Sequence, residues 1–63
     1  MTNEQIRERF RAYREQNFEP SINKIAQYID LSYAVLVRWN KGTYDYDYDY
    51  LSKIDKFLKE RNY

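Results

Sequence analysis

The stretch that decides the fold is Ser21–Gly42, SINKIAQYIDLSYAVLVRWNKG. Ser21 suits an N-cap, because its hydroxyl can accept from an amide that the first helical turn leaves free. Ile22, Ile25, Ala26 and Ile29 then recur at i, i+3, i+4 and i+7, which is one apolar face of a helix. Asp30-Leu31 interrupts that run. Ser32 is a second N-cap and opens a further helix, Ser32–Lys41, with Val35, Leu36 and Trp39 facing inward. Gly42 follows at once, and glycine takes the left-handed backbone that ends a helix at low cost. The pattern predicts two short helices joined by a tight turn.

Outward from this segment the same signals repeat. Thr2 and Gln5 have the spacing of a capping box. Behind it Ile6, Phe10 and Tyr13 define a helix that should end near Gln16–Asn17, since Glu19 precedes Pro20 and is biased away from helical geometry. Arg7, Arg11 and Arg14 form a neighbouring stripe. Its simplest reading is a solvated face with Glu4, Glu8 and Glu15 as partners. Beyond Gly42 lies Thr43 and then a strict alternation, Tyr44-Asp45-Tyr46-Asp47-Tyr48-Asp49-Tyr50. The period fits a strand, but no second strand exists to pair with it. The better reading is a loop over Thr43–Tyr46, an N-cap at Asp47 and a fourth helix from Tyr48 to about Arg61. Tyr48, Leu51, Ile54 and Leu58 would be its apolar stripe, with Phe57 beside it. Asp47 and Asp49 would favour the positive end of that helix's dipole. Lys53, Lys56 and Lys59 read as its outer face. Arg61-Asn62-Tyr63 contains no evident helix stop.

Composition narrows the function classes. Sixty-three residues make one domain with a small core. There is no Cys and no His, so disulfides and the usual soft metal ligands are absent. No apolar run has signal-peptide or membrane-span length. These features predict a cytoplasmic protein without a membrane partner. One Gly and one Pro disfavour a turn-rich β fold, and the predicted class is all-α, a small four-helix domain. Net charge is only +1, split as +2 over residues 1–43 and −1 over residues 44–63. Any attraction for phosphate must therefore be local. Without His, Cys or a Gly-rich phosphate loop, catalysis is not expected, nor is a small-molecule substrate or cofactor. Asp45, Asp47 and Asp49 lack the central Gly and terminal Glu of a calcium loop.

Ser21–Lys41 resembles the helix-turn-helix of the phage Cro and repressor family, also called the xenobiotic-response-element-like family. Ala26 stands where two crossing helices need a small residue. Ile25 and Ile29 pack inward, Leu31 plugs the core after the turn, and Leu36 and Trp39 face it from the next helix. Leu36-Val37-Arg38-Trp39-Asn40-Lys41-Gly42 is similar to the family's recognition-helix end and glycine stop, and Leu51, Ile54 and Leu58 match its following helix. There are three departures. Asp30 replaces the family's preferred turn glycine. Asn40 stands where many members have a Glu that pairs with a first-helix Arg, leaving a hydrogen bond from Arg14 as the substitute. The chain has four helices, where many members have a fifth that often forms the dimer.

The resemblance implies sequence-specific binding of double-stranded DNA by a transcriptional regulator, such as a repressor, of phage, plasmid or mobile-element type. The first residues of a recognition helix, and those one turn later, reach base edges. Here these are Ser32, Tyr33, Ala34, Val37 and Arg38. Arg38 suits a bidentate contact to guanine, and Ala34 and Val37 suit a thymine methyl. Ser21, Asn23, Lys24, Asn40, Lys41 and Thr43 flank them as phosphate contacts. The free amides at Ser21–Lys24 would suit one phosphate. Each reading has a plainer competitor. Trp39 belongs to the core rather than to a stacking platform, and Arg38 is as well explained by a phosphate contact or a solvated charge.

Two copies on half-sites would supply affinity that one domain lacks. The homodimer contact is expected in the fourth helix with Tyr44, Tyr46 and Tyr50, or in a segment beyond Tyr63 if residues 1–63 are the N-terminal part of a longer protein. The alternative function is a protein-binding module, of antirepressor or inhibitor type, using the Tyr-Asp loop and an exposed Tyr33/Val37 patch. A third reading is mimicry of nucleic-acid charge by the acidic repeat. The repeat weighs against DNA binding unless its carboxylates turn away or pair with a cation.

Overall fold

A computed structural model describes all 63 residues. Four helices follow in order, α1 (Asn3–Gln16), α2 (Ile22–Tyr28), α3 (Tyr33–Lys41) and α4 (Tyr48–Lys59). The fold is all-α. No helix is long and apolar enough to cross a membrane. Each helix opens on a side-chain cap. The hydroxyl of Thr2 accepts from the Gln5 amide and the Gln5 carboxamide accepts from the Thr2 amide, which completes the capping box. Ser21 caps α2, Ser32 caps α3 and Asp47 caps α4 in the same way.

The helices also close alike. α1 is followed by Phe18 at φ 64, α2 by Asp30 at φ 59, α3 by Gly42 at φ 90 and α4 by Asn62 at φ 66. A left-handed residue turns the chain so that later amides reach back to the orphan carbonyls. Leu31 thus donates to Ala26 at 2.8 Å, Thr43 to Arg38 at 3.0 Å and Tyr63 to Leu58 at 2.9 Å. Asn62 is therefore the stop that the C-terminal residues did not reveal by type.

α1 packs on α3 and α4, and α2 packs on α3. Ile6, Phe10, Ile25, Ala26, Leu36, Trp39, Leu51, Ile54, Phe57 and Leu58 are buried between them, with Tyr46. Phe10 meets Trp39 edge-on at 5.4 Å, and Tyr13 meets Phe57 edge-on at 5.4 Å. α2 reaches α4 through long side chains, Tyr28 lying 5.9 Å from Phe57 and the Arg61 guanidinium lying over both rings. Ile22, Ile29, Leu31 and Val35 are half-buried at the edge of this core. Tyr48 is not in the core. It is 71% exposed, and Tyr46, at 7%, fills the place expected for it.

The largest departure from the sequence reading is Arg7, which is 2% exposed rather than solvated. Its Nε donates to the Trp39 carbonyl at 2.5 Å. Its second terminal nitrogen donates to the Tyr44 carbonyl at 3.1 Å and the Asp45 carboxylate at 2.8 Å. Its first terminal nitrogen pairs with Glu4. The guanidinium lies 5.2 Å from the Trp39 ring centroid. One turn earlier, Asn3 accepts from Trp39 Nε1 at 2.8 Å and from the Tyr46 amide at 3.0 Å, and donates to the Tyr46 carbonyl at 3.1 Å. α1 thereby holds the end of α3 and the loop after it. The rest of the stripe differs from the expectation too. Arg14 donates to the Pro20 carbonyl, and it is Arg11 that reaches Asn40, at the backbone carbonyl.

Two predictions follow from this network. Arg7→Ala should cost about 1–3 kcal/mol in chemical denaturation, because it removes the hydrogen bonds that tie α1 to the Trp39 and Tyr44 carbonyls and empties a buried site beside the Trp39 ring. Arg7→Lys should recover little, since an ammonium cannot reproduce the fork; a stable Arg7→Lys variant would contradict the assignment. The second concerns Asp55, which accepts from Arg9 at 2.7 Å and pairs with Lys59 at 3.1 Å. The Arg9 hydrogen bond, helped by Lys59 and opposed by desolvation, holds this carboxyl below the usual range. Its stabilising effect is full above the ordinary carboxylate range and fades as pH falls through the depressed value. Asp55→Asn should cost about 1 kcal/mol near pH 7, and the gap to wild type should close in strong acid.

Candidate nucleic-acid interface

α3 buries Leu36 and Trp39 and keeps Val35 half-buried. The phase this sets turns Tyr33, Ala34, Arg38 and Lys41 to solvent, with Val37 half-buried among them. At 1.5 Å per residue, Tyr33 to Lys41 spans about 12 Å of exposed helix. Tyr33 remains 51% exposed. The Arg38 and Lys41 side chains have no ion-pair partner. The same is true of Lys24 on α2. Between Ser21 and Thr43 these three cations face one acid, Asp30. Elsewhere the arginines are engaged: Arg7, Arg9, Arg14 and Arg61 form ion pairs and Arg11 bonds a carbonyl. The α2–α3 surface therefore holds the one guanidinium free of an ion pair or hydrogen bond, together with the unpaired Lys24 and Lys41; Lys53 and Lys56 on α4 are exposed and unpaired as well.

The flanking residues are less uniform. Ser21 and Ser32 are exposed, and their oxygens already accept from the Lys24 and Val35 amides. Their hydroxyl hydrogens remain free to donate. Because Lys24 N–H is taken, the anion-binding capacity expected of the Ser21–Lys24 amides shrinks to those of Ser21, Ile22 and Asn23. α2 is only seven residues long, so its dipole adds little. The Thr43 hydroxyl donates to the Arg38 carbonyl at 3.1 Å and serves the end of α3 first. Asn40 is half-buried, its carboxamide oxygen turned inward without a partner. Asn23 is exposed.

The three carboxylates of the acidic repeat are exposed, and two of them are tied to the fold. Asp45 pairs with Arg7, which also pairs with Glu4, and Asp47 accepts from the Tyr50 amide at 3.2 Å. Asp49 lies in the first turn of α4, where the dipole favours it. Tyr46 is not a surface anchor, as the sequence suggested, but a core residue against Trp39 at 6.0 Å. Tyr44 and Tyr50, at 44% and 47%, keep half their surface exposed. Sequence reasoning missed Asp30, Leu31 and Val35 as neighbours of these rings. Nothing in the local pattern brings residue 30 beside residue 50.

No protein-family model, curated protein or solved structure matches the chain in comparison with known proteins.

The Tyr46 hydroxyl is buried without a hydrogen-bond partner. Burial, reinforced by the neighbouring Tyr44 and Tyr50 phenols, pushes its pKa from 10.0 to about 12. The folded state thus resists its ionisation. The associated stability is intact below pH 10 and is lost as pH rises through about 12. Tyr46→Phe removes an unsatisfied polar group, so it should leave stability at pH 7 unchanged or higher. It should also flatten the alkaline decline seen in wild type. A marked loss at neutral pH would show that the hydroxyl has a partner.

Proposed function

We propose that this domain binds double-stranded DNA by laying α3 in the major groove. It acts as a transcriptional regulator of phage, plasmid or mobile-element type, or as the DNA-reading part of a larger protein, in the cytoplasm of a bacterial or phage-infected cell. The observation that carries this reading is the exposed face of α3. Tyr33, Ala34, Val37, Arg38 and Lys41 share it, and its cations have no acidic partner. The packing behind it supports the comparison with a helix-turn-helix: Ala26 and Ile25 are buried against Leu36 and Trp39, and Asp30 takes the left-handed turn. The pairing of Asp45 with Arg7 lessens the repulsion that the repeat would exert on phosphate.

In this reading Arg38 forks onto guanine and Ala34 and Val37 meet a thymine methyl. Ser32 and Tyr33 donate to a base or a phosphate. Lys41, Lys24, Asn23 and the Ser21 hydroxyl set the register on the backbone. Two copies on half-sites about one helical turn apart supply the affinity that one small module lacks.

Fluorescence anisotropy tests this. The chain is titrated with a random duplex and with a site selected from a random pool, each across a salt series. Lys41→Ala should weaken binding on both duplexes and lower the salt slope by about 1. Arg38→Ala should cost about 1–3 kcal/mol on the selected site and little on the random one. No binding at low salt would overturn the proposal.

A further inference from the structure

Beside the exposed face of α3 lies a groove of about 320 Å³ between the α2–α3 turn and the loop before α4. Its walls are Asp30, Leu31, Ser32 and Val35 on one side and Tyr44, Tyr46 and Tyr50 on the other. The rings form a floor, one upright wall and one shallow incline. Tyr46 is buried, with Tyr44 perpendicular to it at 5.4 Å and Tyr50 inclined at 30° and 5.7 Å. The floor residue carries the buried hydroxyl that has no partner. The side rings are only half covered, so π surface is left open.

The groove wall carries one charge, Asp30, and Lys53 and Lys56 share a neighbouring pocket with it. Asp30 belongs to no ion pair. Asp49, beside Tyr50 in the chain, is also unpaired. An aromatic face attracts a cation through its quadrupole, and a carboxylate at the edge adds to that attraction. Tyr50 already does this for Lys53, whose ammonium stands 5.6 Å from the ring centroid and is not part of the groove wall. An anion meets no donor cation there, so this groove is not a continuation of a phosphate track. Its volume lies at the low end for ligand sites, enough for one side chain.

The geometry points to a docking slot for an arginine side chain presented by a partner protein, stacked on Tyr44 with the Tyr50 ring at its edge and its fork toward Asp30. Arginine fits better than lysine, because a planar guanidinium stacks on a ring and meets a carboxylate with paired donors. The apolar stem lies along Leu31 and Val35. This surface adjoins the base-reading face of α3 and shares Ser32 with it.

NMR on the full chain tests the slot with two blocked tripeptides, acetyl-Gly-Arg-Gly-amide and its citrulline analogue, which has the same shape and no charge. The Tyr44, Tyr46 and Tyr50 ring signals and the Asp30 amide should shift saturably with the arginine peptide and stay still with the citrulline one. Asp30→Asn, which tolerates the same left-handed backbone, and Tyr50→Leu should each weaken binding about 3-fold or more. Equal shifts with both peptides, or none at the ring signals, would overturn the inference. So would concentration-dependent self-association that Arg38→Ala abolishes, because the occupant would then be a second copy. The anisotropy of Asp30→Asn on DNA should not fall, so failure of the slot and failure of the DNA reading are read separately.

Discussion

The guanidinium of Arg7 sits where three pieces of chain meet: the first turns of α1, the last turn of α3 and the loop that leads to α4. A helix end normally leaves its last carbonyls to water. Here the Trp39 carbonyl accepts from the Gly42 amide and also from a charged donor on another helix, and the same donor fixes the carbonyl and carboxylate of the next loop. Desolvating an arginine costs several kcal/mol, and only full use of its fork offsets that. Four partners and the Trp39 ring supply that use. Because the orientation of α3 is fixed through Trp39, the direction in which Tyr33, Ala34, Arg38 and Lys41 point depends on a residue on the opposite side of the core.

The same centre sets the electrostatics of the candidate surface. Asp45 would face phosphate if it were free. Tied to Arg7, it becomes part of the scaffold, and Asp47 is tied to the start of α4. The cations of α2 and α3 keep no such partners. Asp45, Asp47, Asp55 and most arginines are thus turned to structure, and on α2 and α3 Lys24, Arg38 and Lys41 are left available. The groove beside Tyr44 and Tyr50 has the opposite character, with aromatic walls and Asp30 as the only charge.

Much of this was legible because it is local. Thr2, Ser21, Ser32 and Asp47 announce helix starts by type and spacing. Gly42 announces a stop, and Asp30 a turn. Phe18 and Asn62 take the same left-handed backbone without an equally clear signature. Arg7 was not legible, since its carboxylate partner Asp45 lies 38 residues away and its neighbours Arg11 and Arg14 share its spacing. Tyr48 was misplaced for a different reason. In an alternating Tyr-Asp run every second position offers the same ring and the same cap, so periodicity alone cannot tell which tyrosine meets Trp39. The convergence of Tyr44, Tyr46, Tyr50 and Asp30 on one groove followed from tertiary packing and had no sequence signal.

That degeneracy gives the loop an asymmetric tolerance to changes in length. Leu51, Ile54 and Leu58 fix the phase of α4, and so fix which aspartate caps it. One additional Tyr-Asp unit would leave the unit before the helix as floor and cap and place the surplus in the loop, where closure entropy grows slowly with length. In the present loop the partner of Arg7, the floor tyrosine and the cap are the consecutive residues Asp45, Tyr46 and Asp47, with no spare residue between them. The repeat therefore has slack for lengthening and none within this run for shortening.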